Sequence, residues 1–532
     1  MDLIRNFLHA FTKKELRVLL YATGLFLIAI IARTGIAVQE HSAFVPVQGG
    51  TFREGVVGQP ILINPAVSDN QVDRDLSALL FSKLGDLATH INTDEKNKVF
   101  TVSLKENLLW DDETPITSDD IVFTIKTIQD PDARSPLFKN WSGVAVERVS
   151  QLQVRIAIPT QNIFFGDTVK DLRIIPEHIY ENVPPANMRL SSYVLEPVGS
   201  GPYTFKKFSQ KKNGFITDYI LEANEHYVGK KPYIREFHFL FYEDEEALEN
   251  AFRVREIDAF GTALPVNTKL FDALRVHVAR IPVTRYYALF FNTNNEVLNS
   301  SVLRHALIAG ISKKKIEEEL FQNNEVSFIS SPIFTNDADA SYDVLRAQKT
   351  IAEMKTIPEF AVVVPNTPHL ENTARILKEE WEKIGVTVQI VSLDPRDVFE
   401  NAIKTNNYDM ILFGNALEND FDLFPFWHSS ERVYPGLNLS LYKNEKVDAL
   451  IDMIRQESDI EKRKNIRELI GDYIIEDAPA LFLYSVPYTY IARDEVGGVP
   501  FFETVPEARY TSPSDRFSSI TEWFVSQARI LR

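Results

Sequence analysis

Ser103–Asp130 reads SLKENLLWDDETPITSDDIVFTIKTIQD, a strand end, a tight turn and a helix in immediate succession. Thr117 is placed to accept from the first backbone N–H groups of the helix, and Asp120 sits three residues on, a shorter relative of the capping box. Ile121, Ile125 and Ile128, with Val122, then form one apolar stripe at the helical period. The paired carboxylates Asp111–Asp112 and Asp119–Asp120 fall at the turn and at the helix start, where capping accounts for them without acid–base work. The stretch is scaffold, with no general base, metal cluster or phosphate loop in it.

Around it lies a chain too long for one ordinary core, 532 residues, so two or three domains or lobes are expected. Hydrophobic residues make up 45% and aromatic residues 11%, which describes a packed globular protein rather than a disordered one. Lysine plus arginine number 57 against 74 aspartates and glutamates, a formal net charge of −17. That balance excludes the basic footprint nucleic-acid binding needs. With no cysteine, disulfides, thiol nucleophiles, cysteine-based zinc sites and the acylated cysteine of a bacterial lipoprotein are all excluded.

At the N-terminus, Arg5, Lys13, Lys14 and Arg17 precede the apolar run VLLYATGLFLIAIIA (Val18–Ala32), closed by Arg33. The positive flank places residues 1–17 in the cytosol and the bulk of the chain outside, whether the run at 18–36 is an anchor or a removed signal peptide. The long pre-segment and Arg33 favour an uncleaved anchor over cleavage near Gly35-Ile36-Ala37. Residues 37–48 read as a tether. Beyond it, period-two alternation marks strands at Val99–Leu104, at Leu152–Ile158 and through Phe237, Phe239 and Phe241.

Further on the pattern changes. Phe360–Pro365 reads as a strand, followed by a helix with Ala374, Leu377, Trp381 and Ile384 on one face and Gly385 at its end. Val386, Val388 and Ile390 begin a second strand, Val398–Ile403 is a short helix, and Asp409–Gly414 is a buried strand. Strand–helix–strand–helix–strand is the signature of a parallel α/β lobe. Two helices follow, around Val447–Ile454 and Ile466–Tyr473, the second with a capping box of Ser458 and Glu461. Asp477-Ala478-Pro479 stops it, and Ala480–Tyr484 returns as a strand.

Catalytic signatures fail one by one. Gly199-Ser200-Gly201 has Thr204 where a third glycine belongs and Pro202 where a phosphate needs a backbone donor, so it is a tight turn. No His-x-x-x-His pair exists, and His428 in FWHSS reads as a packing histidine. In a parallel lobe, ligands meet the loops leaving the carboxyl ends of strands. The loop GNALENDFD (Gly414–Asp422), which includes Asn415, therefore carries the functional interest. Glu418, Asp420 and Asp422 stand there among Phe413, Phe421, Phe424, Phe426 and Trp427. Aromatic walls with a carboxylate suit an organic ligand bearing an amine. A solvated acidic loop beside a hydrophobic cluster is the other reading.

Several segments, in order, resemble the family 5 extracellular solute-binding proteins of ABC transporters, the oligopeptide, dipeptide and nickel-binding group. They are GGTFREGVVGQPILINP, SLKENLLWDDETPITSDDIVFTI, PVGSGPYTF, NEHYVGKKPYIREFHF with EIDAF, FNTNNEVLNSSVLRHALIAGI, YDMILFGNALENDFDLFPFWHSS, NLSLYKNEKVDALIDMIR and EDAPALFLYSVPYTY, covering about 49–503. There are departures. The usual Asp-Gly turn is Asp112-Glu113, the usual Ala-Ile-Asp-Arg reads Gly310-Ile311-Ser312-Lys313, and the segment between Phe81 and Val99 is shortened.

The resemblance implies an α/β, type II periplasmic-binding-protein-like fold: two lobes around a hinged cleft, plus an insertion domain and one N-terminal membrane helix. The base lobe would comprise about 45–66, 196–283 and 485–525, the insertion 67–195, and the second lobe 284–484. It further implies a non-enzymatic, monomeric subunit of an ABC importer that takes no cofactor or metal. That subunit would capture a peptide or similar small solute outside the membrane and deliver it to permease subunits. Crossovers are expected near Thr284–Asn292 and Tyr484–Tyr488. Tyr286 and Tyr287 match family positions that touch peptides, and Val67-Ser68-Asp69 matches a backbone region that pairs with extended ligands. Glu418, or Asp420, matches the aspartate that receives the ligand amine, with Asn415, Trp427 and Tyr484 completing the implied site. A ligand sensor or interaction scaffold on the same fold is the alternative, and an anchored hydrolase lacks a nucleophile–base pair.

Overall fold

The computed structural model describes residues 12–40, 42–264, 266, 271, 274–321, 326–334, 342–354, 359–417, 422–503 and 510–531. The chain opens with α1 (Lys13–Glu40), then β1 (Ser42–Pro46), β2 (Thr51–Val57) and α2 (Gln71–Leu80). Next come β3 (Ala88–Thr93), β4 (Val99–Leu104), α3 (Ser118–Gln129), β5 (Ala145–Ser150) and β6 (Gln153–Ala157). β7 (Tyr203–Gln210), β8 (Ile216–Ala223), β9 (Glu236–Tyr242), β10 (Ala259–Thr262) and β11 (Val276–Ile281) precede β12 (Arg285–Phe291) and β13 (Ser327–Phe328). β14 (Glu359–Pro365), α4 (Pro368–Lys383), β15 (Thr387–Leu393) and β16 (Met410–Ala416) follow. α5 (Glu445–Ile454), α6 (Ile460–Asp477), β17 (Ala480–Ser485), β18 (Tyr488–Arg493) and β19 (Gln527–Leu531) close the chain.

These strands form a seven-stranded sheet ordered β11-β18-β10-β2-β9-β8-β7 and a six-stranded sheet ordered β13-β17-β12-β16-β14-β15. A four-stranded sheet, β3-β4-β6-β5, and the ribbon β1-β19 complete the set. In β9 the alternation of FHFLF buries Phe237, Phe239 and Phe241 on one face, as period two requires. β14, β15 and β16 run parallel, linked through α4 and the segment 395–403.

The capping box of α3 is complete. Thr117 N–H donates to Asp120 Oδ2 at 2.8 Å, and Thr117 Oγ1 accepts from Asp119 N–H at 3.2 Å. Glu113, which stands where Asp-Gly is usual, adopts a left-handed φ of 69°. A glycine would enter that region without the Cβ clash. The turn Gly199-Ser200-Gly201 is packed against the end of α2: a Cβ on Gly201 would lie 2.3 Å from the Leu79 carbonyl oxygen. Ser312 keeps a capping role, its hydroxyl accepting from Lys315 N–H.

Three local expectations are corrected. The cap of α6 is Asp459, accepting from Lys462 N–H at 3.1 Å, one residue later than the Ser458–Glu461 box; two short polar residues stand side by side, and packing chooses the register. Val398–Ile403 is a π turn continuing Pro395–Asp397. Within the segment read as a tether, Ser42–Pro46 is a strand paired antiparallel with Gln527–Leu531, a contact no local pattern announces. α1 is long and apolar enough to cross a membrane over Lys13–Thr34, and none of that span is buried against the rest of the chain.

The two large sheets share their chain crossings. β11 pairs with β18 in the first sheet, and β12 pairs with β17 in the second. The chain passes between the sheets at 282–284 and returns at 486–487, so two adjacent strands carry both connections. Short paired crossovers of this kind concentrate any φ/ψ change in a few residues, which is the geometry of a hinge.

Candidate functional site

The carboxyl ends of β14 and β16 meet the amino end of β12 beside these crossovers, because β12 runs antiparallel to β16 with Arg285 opposite Ala416 and Tyr286 opposite Asn415. Glu418 and Asp420 lie outside the described residues. What the structure describes is the pair of feet on which their loop stands. At the first foot, Leu417 N–H donates to the Thr284 carbonyl at 2.7 Å, and Thr284 Oγ1 donates to the Leu417 carbonyl at 2.5 Å. Asn415 Nδ2 donates to the Tyr286 hydroxyl at 3.1 Å. At the second foot, Trp427 Nε1 donates to that same hydroxyl at 3.3 Å, and Arg455 closes on Asp422 at 2.7 Å while stacking over Phe424. Of the three acidic residues in the loop, Asp422 is thus spoken for by an arginine.

Tyr286, Asn415 and Trp427 are all buried, and burial with loss of solvation raises the Tyr286 phenol well above its ordinary range. The pleat sends Tyr286, Ala288 and Phe290 into one core and Tyr287, Leu289 and Phe291 into another, since helices cover both faces of the sheet. Tyr484 lies on the Tyr287 side, its hydroxyl 2.8 Å from Thr373 Oγ1 and its ring 5.5 Å from that of Tyr287. Tyr286, Asn415 and Trp427 therefore gather on one face of the sheet, and Tyr287 and Tyr484 on the other.

Val67-Ser68-Asp69 belongs to a turn rather than a free strand edge. Val67 and Ser68 N–H groups both donate to the Asn64 carbonyl, at 3.0 and 2.8 Å. Arg189 and Arg74 donate to the Val67 and Asp69 carbonyls. Most of its backbone is engaged within the chain, and Asp69 is the exposed member, 3.6 Å from Arg189. His428 is a packing residue, stacked on Phe424 at 4.4 Å and bonded to Ser430.

Two polar residues that sequence reasoning passed over stand at the Tyr287 face. Arg285 places its guanidinium 5.6 Å from the Tyr287 ring, and His369, at the start of α4, packs edge-on against the same ring at 5.2 Å. Both His369 nitrogens, Arg285 Nε and Nη2 and the Thr367 hydroxyl are buried without a hydrogen-bond partner among the described residues. Burial, helped by the Arg285 charge, lowers the His369 pKa to about 4. A lone arginine heading the apolar strand RYYALFF was the available signal. Elsewhere, a cavity of about 510 Å³ edged by Asn292, Asn401, Asn406 and Asp409 contains none of the predicted site residues.

Beyond the crossovers, further contacts join the region of the four-stranded sheet to the second large sheet's region. Lys139 Nζ lies 3.1 Å from the buried Glu431 carboxylate, and Ile163 N–H donates to the Arg455 carbonyl at 2.8 Å.

Comparison with known proteins gives a consistent picture. The family model described as bacterial extracellular solute-binding proteins, family 5 Middle, matches residues 84–432. The oligopeptide-binding protein AppA of Bacillus subtilis is 26% identical over 504 residues, spanning 86% of this chain and 90% of its own. The crystal structure of the ABC transporter substrate-binding protein CtaP from Listeria monocytogenes superposes with a TM-score of 0.74 at 26% identity, over 90% of this chain and 99% of that one. The structure of Bacillus subtilis AppA with a nonapeptide gives 0.74 at 22% identity, over 91% and 100%.

Proposed function

Because this chain belongs to the bacterial extracellular solute-binding proteins of family 5, we propose that it is the solute-binding subunit of an ABC importer, taking short peptides or a similar small solute into an interlobe cleft. The observation that carries the reading is the pair of crossovers, 282–284 and 486–487, which join two sheets through adjacent strands. Lobes connected this way close by bending a few residues, and a solute held between them stabilises the closed form by its differential affinity.

On this reading the base lobe is built on the seven-stranded sheet, the second lobe on the six-stranded sheet, and the four-stranded sheet is the insertion. Glu418 or Asp420 anchors the solute's amine. Tyr286, Asn415 and Trp427 act one step back by holding the loop's feet, while Tyr287 and Tyr484 form an aromatic floor on the opposite face. Asp69 borders the cleft from the insertion side. α1 holds the chain to the membrane in a single pass, and the folded part delivers its solute to permease subunits on the extracytoplasmic side. Enzymatic turnover has no place in this scheme.

Native mass spectrometry of the full chain, purified without refolding, tests the solute class. A retained ladder of short peptides is the expected result, and a single defined non-peptide mass replaces the peptide reading. Among the anchors, Glu418→Gln and Asp420→Asn are compared by calorimetry with a tripeptide mixture. One of the two should lose roughly 30-fold or more in affinity, the scale of a desolvated charge pair losing a partner. Unchanged affinity in both removes the amine anchor from this loop.

A further inference from the structure

We propose that the ribbon of β1 and β19 is a lipid-contacting element, lying in the headgroup layer of the bilayer that α1 crosses, with Phe44 and Ile530 turned among the lipids. The inference rests on the reading of α1 as an uncleaved anchor and deepens it, since it says how the folded part stands on the membrane.

The apolar run Val18–Ala32 is shorter than a membrane requires. A hydrocarbon core about 30 Å thick takes about 20 helical residues, which carries the crossing from Val18 to about Ala37. Arg33 then falls about 6 Å inside the outer edge, within reach of the headgroups for a long cationic side chain. α1 ends at Glu40, about 5 Å beyond that edge, and β1 begins at Ser42. Two extended residues add at most about 7 Å, against a headgroup layer of about 5–8 Å. The near end of the ribbon therefore sits at that layer, and the ordinary tilt of a spanning helix lowers it further.

The ribbon's own side chains agree. Neither Ser42–Pro46 nor Gln527–Leu531 holds an acidic residue, in a chain whose acids outnumber its bases, and Arg529 is their one charge. Phe44 pairs with Arg529 and Ala43 with Ile530, so the pleat puts Phe44 and Ile530 on opposite sides. Both are open, Phe44 65% and Ile530 47% exposed. The Arg529 guanidinium lies 5.6 Å from the Phe44 ring, and its Nε donates to Ser42 Oγ at 2.6 Å. Phenylalanine beside arginine suits an interface, the ring toward the acyl chains and the cation toward phosphate. A two-stranded ribbon with apolar side chains bare on both sides is marginal in water, and a surrounding lipid layer accounts for it. The outer edges of such a ribbon present unpaired backbone groups, so it stops among hydrated headgroups and does not enter the hydrocarbon. Its far end is fixed to the fold. Val47 N–H donates to the Ser526 carbonyl at 3.1 Å and Gly49 N–H to the Tyr233 carbonyl at 2.7 Å, leading straight into β2. The seven-stranded sheet is thereby seated on the bilayer and does not hang from a free leash.

The chain contains no cysteine, so single cysteines can be introduced and spin-labelled one at a time. Phe44→Cys and Ile530→Cys are compared in the full chain, reconstituted in phosphatidylethanolamine–phosphatidylglycerol vesicles. Ile28→Cys within α1 and Val433→Cys, exposed in the region of the six-stranded sheet, serve as references. Power-saturation EPR reads how often each label meets a water-soluble nickel chelate. Relative to position 433, the label at 28 should be shielded about tenfold or more, and those at 44 and 530 roughly threefold, as expected for hydrocarbon and headgroup depths. Labels at 44 and 530 as open to the chelate as 433, with 28 still shielded, overturn the proposal and leave the anchor standing. A label at 28 as open as 433 removes the anchor, and the proposal with it. Shielding at 44 that comes with spin–spin broadening, and is lost with it on dilution by unlabelled chain, places a second copy on the ribbon and likewise overturns the lipid contact. Circular dichroism of each labelled variant confirms that folded proteins are being compared.

Discussion

Tyr286→Phe separates a residue that holds the loop from one that touches the solute. The substitution keeps the ring and removes only the hydroxyl, which accepts from Asn415 Nδ2 at 3.1 Å and from Trp427 Nε1 at 3.3 Å. All three residues are buried, so both donors would be left without water or a substitute acceptor. An orphaned buried donor costs about 1–3 kcal/mol, and the long contact distances put each at the lower end, giving about 2–3 kcal/mol in total. For a lobe of this size that corresponds to a fall in melting temperature of about 5–10 °C. The lobes need not unfold as one unit, so a melting curve alone is not sufficient. Hydrogen exchange supplies the local measurement: amides around Leu417 and Trp427 should exchange faster, while β14 and β15 keep their protection. Tripeptide affinity should stay within about threefold, apart from any loss due to a looser loop. A variant of normal stability and normal exchange that binds tenfold more weakly refutes the assignment, because the hydroxyl would then face the solute.

Other perturbations probe the frame. His369→Gln tests the buried imidazole. Its pKa is about 4 in the folded chain and ordinary when unfolded, so its contribution is present above about pH 6.5 and is lost as pH falls toward 4. The wild-type stability loss between pH 7.5 and 5, measured by thermal denaturation, should therefore exceed that of the variant, by up to about 2 kcal/mol. Gly201→Ala would drive a Cβ to 2.3 Å from the Leu79 carbonyl oxygen and should cost about 3 kcal/mol or more, seen as a large drop in melting temperature; a drop under 1 °C would show the turn can retreat from α2. Glu113→Gly should leave stability unchanged or raise it by up to about 1 kcal/mol, since relief of the left-handed strain outweighs or balances the added freedom of the unfolded chain. Arg516→Met would strip the partner from Glu54 at 2.5 Å and Asp75 at 2.7 Å, both buried, and should cost about 3–5 kcal/mol at pH 7 with partial recovery in acid; wild-type stability in that variant would mean the carboxylates are already neutral.

What could be read in advance was local or periodic. Thr117 and Asp120 announce their capping box because both partners lie within one turn, and Phe237, Phe239 and Phe241 announce a strand face because pleating alone sets the alternation. The β14–α4–β15 unit was legible for the same reason, Gly385 taking the left-handed φ of 84° that ends such a helix. Where two local solutions compete, as at Ser458 and Asp459, propensity cannot choose. Non-local pairing left no trace at all: nothing in Ser42–Pro46 specifies Gln527–Leu531 as its partner. The tyrosine pair in β12 was only half legible. Alternation separates Tyr286 from Tyr287, and the family resemblance offers both as ligand contacts. That both are buried follows from helices on the two faces, which only tertiary structure reveals.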